Sequence, residues 1–130
     1  MNLKICIAED NYFLMKAIKE KLSFFEDISI KFTGNNGAEL IGKLEENHNI
    51  DVILMDIQMP VMDGLTAARA LRERYSADAL PIIAMTAHAM SGDREKSLAA
   101  GMNAHITKPI VLSELFETLT HWIKHKHNHH

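Results

Sequence analysis

Short apolar runs alternate along the chain with longer stretches whose apolar residues recur every three or four positions. The short runs are Leu3–Ala8, Ile28–Thr33, Val52–Met55, Ile82–Met85 and Ala104–Ile106. Their length and β-branched content predict strands. The first, third and fourth are almost continuously apolar, as strands covered on both faces must be. The second alternates, with Ile28, Ile30 and Phe32 against Ser29, Lys31 and Thr33, which suits an edge strand.

The stretches between them predict helices. Leu14, Ile18, Leu22 and Phe25 form one helical stripe, and Leu65, Ala68 and Leu71 another. Asn36, three residues before Glu39, is a capping-box variant that opens a helix with Leu40, Ile41 and Leu44 on its inner face. A fourth helix is predicted to start at Ser91 and stop at Gly101, with Asp93 in its first turn. The last carries Leu112, Leu115, Phe116, Leu119, Trp122 and Ile123 on one stripe. Five βα units in this order predict an α/β doubly wound sandwich with right-handed crossovers.

Composition narrows the class. The chain has 130 residues, 47% hydrophobic and 24% charged, and a net charge of −3. These values fit one globular domain and argue against direct nucleic-acid binding, which needs a basic face. No run approaches the roughly 18 apolar residues of a membrane span, and Met1 leads straight into a strand rather than a leader. A cytoplasmic location is expected. The single cysteine, Cys6, lies in an apolar run and reads as a small buried hydrophobe. Most of the eight methionines read as core, with Met59 and Met62 as candidates for a partner surface. The domain is expected over residues 1–124. Residues 125–130, polar and rich in histidine, are expected to form a disordered tail.

Ligands of open parallel α/β sheets bind beyond the carboxyl ends of the strands. Glu9 and Asp10 follow the first strand, Asp56 ends the third, Thr86 follows the fourth and Lys108 the fifth. Three carboxylates at one rim repel one another unless a cation relieves them. A hard divalent ion such as Mg2+ suits oxygen ligands, and backbone carbonyls early in the loop after Asp56 lie close enough to serve it. One carboxylate can then attack a phosphoryl group, with Lys108 neutralising its oxygens and the Thr86 hydroxyl donating to one. Taken singly, the same residues have plainer readings: Asp10 as a helix cap, Thr86 as a turn hydroxyl, Lys108 as a solvated charge.

Taken together, Ala8-Glu9-Asp10-Asn11, Met55-Asp56-Ile57-Gln58-Met59-Pro60 with Met62-Asp63-Gly64, Met85-Thr86-Ala87 and Lys108-Pro109 resemble the response-regulator receiver domain of two-component and phosphorelay systems. The resemblance runs to Ile123 and is nearest to receivers of hybrid histidine kinases. It implies a flavodoxin-like sheet of order 2-1-3-4-5, with Asp56 as phosphoacceptor. It also implies Mg2+, for which Mn2+ can substitute, held by Asp10, Asp56 and the Gln58 carbonyl, with Glu9 acting through water. Thr86 and Lys108 would read the phosphoryl group, and Lys108-Pro109 would be cis. Glu9 stands where many relatives have Asp. His105 occupies the switch position that usually holds Tyr or Phe, so the implied Thr86–His105 switch would move an imidazole.

Such a domain is a phosphorylated switch rather than a turnover enzyme, its only catalysis being self-directed phosphotransfer and autodephosphorylation. Its donor would be a sensor histidine kinase or hybrid kinase, and its acceptor a histidine phosphotransfer domain. Gln58 and His88 lie two residues beyond Asp56 and Thr86, where they would crowd attacking water and lengthen the life of the acyl phosphate. The alternative is a stand-alone regulator that docks a target protein. Two other classes fit poorly. A dehalogenase-type phosphatase needs an acid where Gln58 stands, and a flavin binder needs a small-residue phosphate loop where Glu9-Asp10-Asn11 stands.

Overall fold

The computed structural model describes residues 3–87 and 92–127, with side chains of the last helix described as far as Trp122. Five parallel strands, β1 (Leu3–Ala8), β2 (Ile28–Gly34), β3 (Val52–Asp56), β4 (Ile82–Thr86) and β5 (Ala104–Thr107), form one sheet in the order β2-β1-β3-β4-β5. The helices are α1 (Tyr12–Leu22), α2 (Gly37–Glu46), α3 (Gly64–Arg72), α4 (Asp93–Ala99) and α5 (Leu112–His127). Successive strand residues face opposite sides, so one sheet yields two cores. Ile5, Ile7, Val52, Leu54, Ile83 and Met85 pack against α1 and α5. Cys6, Ile53, Met55, Ile82 and Ala84 pack against α2 and α3. Cys6 is fully buried, and burial pushes its thiol pKa far up, so the thiolate is suppressed.

Four strands run one residue past the apolar runs that predict them, ending on Gly34, Asp56, Thr86 and Thr107. Ladder pairing uses only backbone groups, so a polar residue can take the last rung. Asp56 pairs with Met85, and Thr86 pairs with Thr107. This extra rung fixes the polar side chains of the rim on a rigid element.

The edge strand departs from simple alternation. Ile5 pairs with Ile30 but Cys6 pairs with Phe32, leaving Lys31 as an extra residue in a bulge. The insertion turns Phe32 over: Ile28 and Ile30 pack on the α1–α5 side, Phe32 on the α2–α3 side. Helix α4 begins at Asp93, after Gly92 in a left-handed conformation (φ 81°), and has no side-chain cap. The predicted start at Ser91 lies outside the described residues. Helix α5 continues to His127, past the boundary expected at residue 124. No Gly or Pro interrupts residues 112–127, and each added residue gains a backbone hydrogen bond. Residues 128–130 lie outside the described residues. No helix among the described residues is long and apolar enough to cross a membrane.

At the amino-terminal edge of the sheet, Arg72 ties three connections together. Its guanidinium donates to the carbonyls of Gly101 (2.7 Å) and Leu80 (2.9 Å) and to Asn103 Oδ1 (2.8 Å). Asn103 in turn accepts from Ile82 N–H (2.9 Å) and donates to the Ala77 carbonyl (3.0 Å). Burial lowers the Arg72 pKa, yet guanidinium stays charged at any physiological pH. Its rigid fork satisfies carbonyls at the ends of α3 and α4 that water reaches poorly. Arg72→Ala is expected to cost about 2–4 kcal/mol, since charged hydrogen bonds are lost and buried acceptors are left unpaired. Chemical denaturation measures it. Arg72→Lys should recover only part, because an ammonium cannot reproduce the fork.

Candidate functional site

The rim at the carboxyl end of the sheet is built by loops that bend away from β1, β3, β4 and β5. After β1, Glu9 N–H donates to the Gly34 carbonyl (3.0 Å), carrying the extended backbone one step further. Asn11 then caps α1, its Oδ1 accepting from Leu14 N–H (3.1 Å). With the cap supplied by Asn11, Asp10 has no capping task and stands exposed at the rim. Asp56 closes β3, and its Oδ1 accepts from Gln58 N–H (3.1 Å). Lys108 N–H donates to the Thr86 carbonyl (2.7 Å), which seats the lysine beside the end of β4. The Lys108-Pro109 bond is cis.

These placements bring Glu9, Asp10 and Asp56 together, with one carboxylate oxygen from each lying within 4.8 Å of the others. Lys108 Nζ bridges two of them, at 2.9 Å from Glu9 Oε1 and 3.1 Å from Asp56 Oδ2. Glu9 and Asp56 are buried and Thr86 is fully so. Thr86 Oγ1 has no hydrogen-bond partner among the described residues, an arrangement that buried hydroxyls rarely tolerate. The rim as a whole carries three carboxylates and an ammonium. Such a set can hold a hard divalent cation and an anionic oxygen side by side.

The electrostatics follow from this crowding. Burial raises the Glu9 carboxyl to about 7; Lys108 and the Asn11 N–H work against the rise, and the neighbouring Asp56 charge adds to it. Burial works to lower the Lys108 pKa, but its hydrogen bond to Glu9 and the charges of Asp56 and Glu9 outweigh it, and the net shift is upward. The lysine therefore stays charged and screens the acids from one another.

Gln58 is exposed at the start of the β3–α3 loop. His105 is half-buried on β5, paired with Ala84, two rungs from the Thr86–Thr107 pair. The period of two puts His105 on the same side of the sheet as Thr86. There it lines a groove of about 280 Å³ between α4 and β5. His88 lies outside the described residues. Sequence reasoning missed Asn11, whose amide donates to Glu9 Oε2 (3.1 Å). It also missed the exposed apolar side chains beside the rim, Tyr12, Phe13, Val61 and Val111. Their positions at loop ends and first turns were the available signal.

The family model of the response regulator receiver domain matches residues 5–120, and the chain belongs to this family. It is 42% identical over 121 residues to "Hybrid signal transduction histidine kinase I" of Dictyostelium discoideum, covering 89% of this chain but only 7% of that protein. Among solved structures it resembles the receiver domain of a Pseudomonas aeruginosa sensor histidine kinase, with magnesium in that protein's active-site cleft. The TM-score is 0.84 and the identity 35%, over 95% of this chain and 99% of the other. It also resembles the receiver domain of Ssk1 from Saccharomyces cerevisiae, solved with the histidine phosphotransfer protein Ypd1. Here the TM-score is 0.81 and the identity 30%, over 93% of this chain and 88% of the other. The chain is thus a receiver domain of the kind found in two-component and phosphorelay signalling, a class of phosphorylated switch domains.

The raised Glu9 pKa gives a pH dependence. In the unfolded chain the group titrates near its ordinary value of 4.5, and in the folded chain near 7. Between these values the folded state holds the extra proton, so metal-free stability falls as pH rises from about 4.5 through 7. Glu9→Gln cannot ionise and is expected to flatten that part of the profile. Thermal unfolding midpoints in chelator between pH 5 and pH 8 check it; parallel profiles for the two proteins would contradict it.

Proposed function

We propose that Asp56 is the phosphoacceptor and that the reaction depends on Mg2+ held by Asp10, Asp56 and the Gln58 carbonyl, with Glu9 acting through water. The observation that carries this reading is Thr86 Oγ1, fully buried and without a hydrogen-bond partner among the described residues, at the end of the strand next to the one that Asp56 closes, whose carboxylate an ammonium already contacts. A phosphoryl oxygen on Asp56 would be its missing acceptor. In the transfer, a carboxylate oxygen of Asp56 bonds to phosphorus while the phosphorus–nitrogen bond of a donor phosphohistidine breaks. The electron pair leaves with the imidazole, and Asp56 becomes an acyl phosphate. Lys108 balances charge on the phosphoryl oxygens and Thr86 donates to one of them. Bound Mg2+ would supply the Lewis-acid neutralisation that lets a phosphoryl group enter an acidic rim, and Mn2+ would serve in its place.

Asp56→Asn is expected to abolish incorporation of one base-labile phosphoryl group from acetyl phosphate with Mg2+. Thr86→Ala should slow it about 100-fold by removing an oriented donor. Intact-mass spectrometry reads both, and unchanged labelling of the Asn variant would refute the assignment.

The donor in this reading is a sensor or hybrid histidine kinase, and the group is relayed to a histidine phosphotransfer domain. The yeast receiver solved with Ypd1 supports that partner class. So do Tyr12, Phe13 and Val61, which are 71%, 79% and 88% exposed and would offer apolar area to a docked helix. Gln58, exposed two residues beyond Asp56, is no general base and would crowd an attacking water, so hydrolysis is slow. The expected outcome is an acyl phosphate that outlives mixing by minutes and disappears on addition of a histidine phosphotransfer domain, with label appearing on histidine. Loss within seconds and no transfer would favour a regulator that acts by docking a target.

A further inference from the structure

The loop between β3 and α3 is held from a direction that the acceptor chemistry does not require. Met62 N–H donates to the Pro60 carbonyl (2.6 Å), making Val61 the centre of a γ-turn with φ at 64°. A β-branched residue is disfavoured there, and Val61 is 88% exposed, so burial gives nothing in return. Strain of this kind persists only where the surroundings over-determine the backbone. Two glycines do so. Gly64 N–H donates to the Ile57 carbonyl (3.2 Å), and a Cβ on Gly64 would lie 2.3 Å from the Asp56 carbonyl oxygen. On the other side Gly37 N–H, in the first turn of α2, donates to the Met62 carbonyl (2.8 Å). A Cβ on Gly37 would lie 2.7 Å from Ala67 Cβ and 2.9 Å from that carbonyl oxygen. Close approach, not a positive φ, is what demands glycine at position 37.

We infer that Gly37 is a positioning residue for the cation site: the amino end of α2 sets the loop that carries the Gln58 carbonyl and thereby tunes affinity for the divalent ion. This rests on the reading of the rim as a Mg2+ site. In this reading helix α2 contributes no ligand to that site and acts on the loop through its hydrogen bond to Met62, with Ala67 of α3 as the neighbouring contact. Coupling of this kind is reciprocal, so filling the rim must also hold the Gly37–Met62 hydrogen bond more firmly.

The test compares Gly37→Ala with Leu44→Ala, which empties a core position at the other end of the same helix, where Leu44 lines a cleft with Ala70, Leu71 and Tyr75. Mg2+ dissociation constants are measured by calorimetry at a temperature where all variants are folded. Exchange of the Gly37 amide is followed in the wild type with and without Mg2+. Gly37→Ala should weaken Mg2+ binding about fivefold or more, while Leu44→Ala lowers the unfolding midpoint and leaves binding within about twofold of wild type. The Gly37 amide should exchange more slowly in saturating Mg2+. Equal Mg2+ affinities in the two variants would overturn the inference. If Gly37→Ala does not fold, the amide decides: protection unchanged by Mg2+ overturns it as well. A wild type that binds no Mg2+ would instead refute the rim reading, and the inference with it.

Discussion

The rim is built on a conflict of charge, with Glu9, Asp10 and Asp56 brought together at one place and two of them buried. Three carboxylates within one cation's reach favour protonation or expansion unless positive charge stands among them. Lys108 supplies one such charge, and its two contacts at about 3 Å bind it to both buried acids. Two consequences follow. The domain must keep the ends of β1, β3 and β5 in fixed register, because a slip of one residue would turn an acid into the core. One ammonium among three carboxylates leaves the rim net negative, which is what a divalent cation would answer. The Thr86 hydroxyl is the complementary feature, a buried donor with no acceptor among the described residues.

The rest of the molecule supports that rim by unlike means on its two sides. Toward α1 and α5 the packing is almost wholly aliphatic, with Ile5, Ile7, Leu54 and Ile83 fully buried. Toward α2 and α3, small residues bring backbones close: Gly37 against Ala67, and Gly64 against the Asp56 carbonyl. Aliphatic packing tolerates small displacements, whereas glycine contacts of this sort leave no slack. The acceptor carboxylate is therefore fixed most tightly from the side on which its own loop lies.

Much of this was legible in the sequence, for reasons that also explain what was not. The three inner strands could be read because burial on both faces forces continuous apolar runs, β2 could be read from its alternation, and the acids, Thr86 and Lys108 stood out because each follows or ends an apolar run. The cap of α1 was ambiguous, since Asp10 and Asn11 are both good capping residues; only the observed Asn11–Leu14 bond releases Asp10 for the rim. Phe32 was expected on the face of Ile28 and Ile30 and lies on the other, because a bulge at Lys31 is set by pairing with β1 and leaves no mark on β2 alone. Arg72 gave no signal in the sequence. Its acceptors come from Leu80, Gly101 and Asn103, partners that no local pattern links to it. The end of α5 was placed too early because polarity was read as a stop signal, while a solvated helix needs only the absence of a breaker.

The same contrasts in burial say where a shape change can arise. Helices α1, α2 and α3 each bury aliphatic or alanine side chains against the sheet, whereas the residues that α4 itself buries are Asp93 and Ser97, and Leu98 is 49% exposed. The Ser97 hydroxyl is spent on the Asp93 carbonyl (2.8 Å) within the same helix, so it ties α4 to nothing else. The anchoring of this segment lies at its far end, where Arg72 holds the Gly101 carbonyl and Ala100 and Met102 enter the α2–α3 core. On its other flank, β5 is an edge strand with one buried residue, Ile106. Elements with few buried apolar contacts open at the lowest cost. A helix pinned at its carboxyl end and loosely seated elsewhere swings about that pin, and its amino end moves most. That end follows β4, whose last residue is Thr86. On the proposed reaction, a displacement of the Thr86 side chain toward a phosphoryl oxygen would act on the part of the fold that resists it least, while the acid rim, clamped by Lys108 and by glycine contacts, would stay in place.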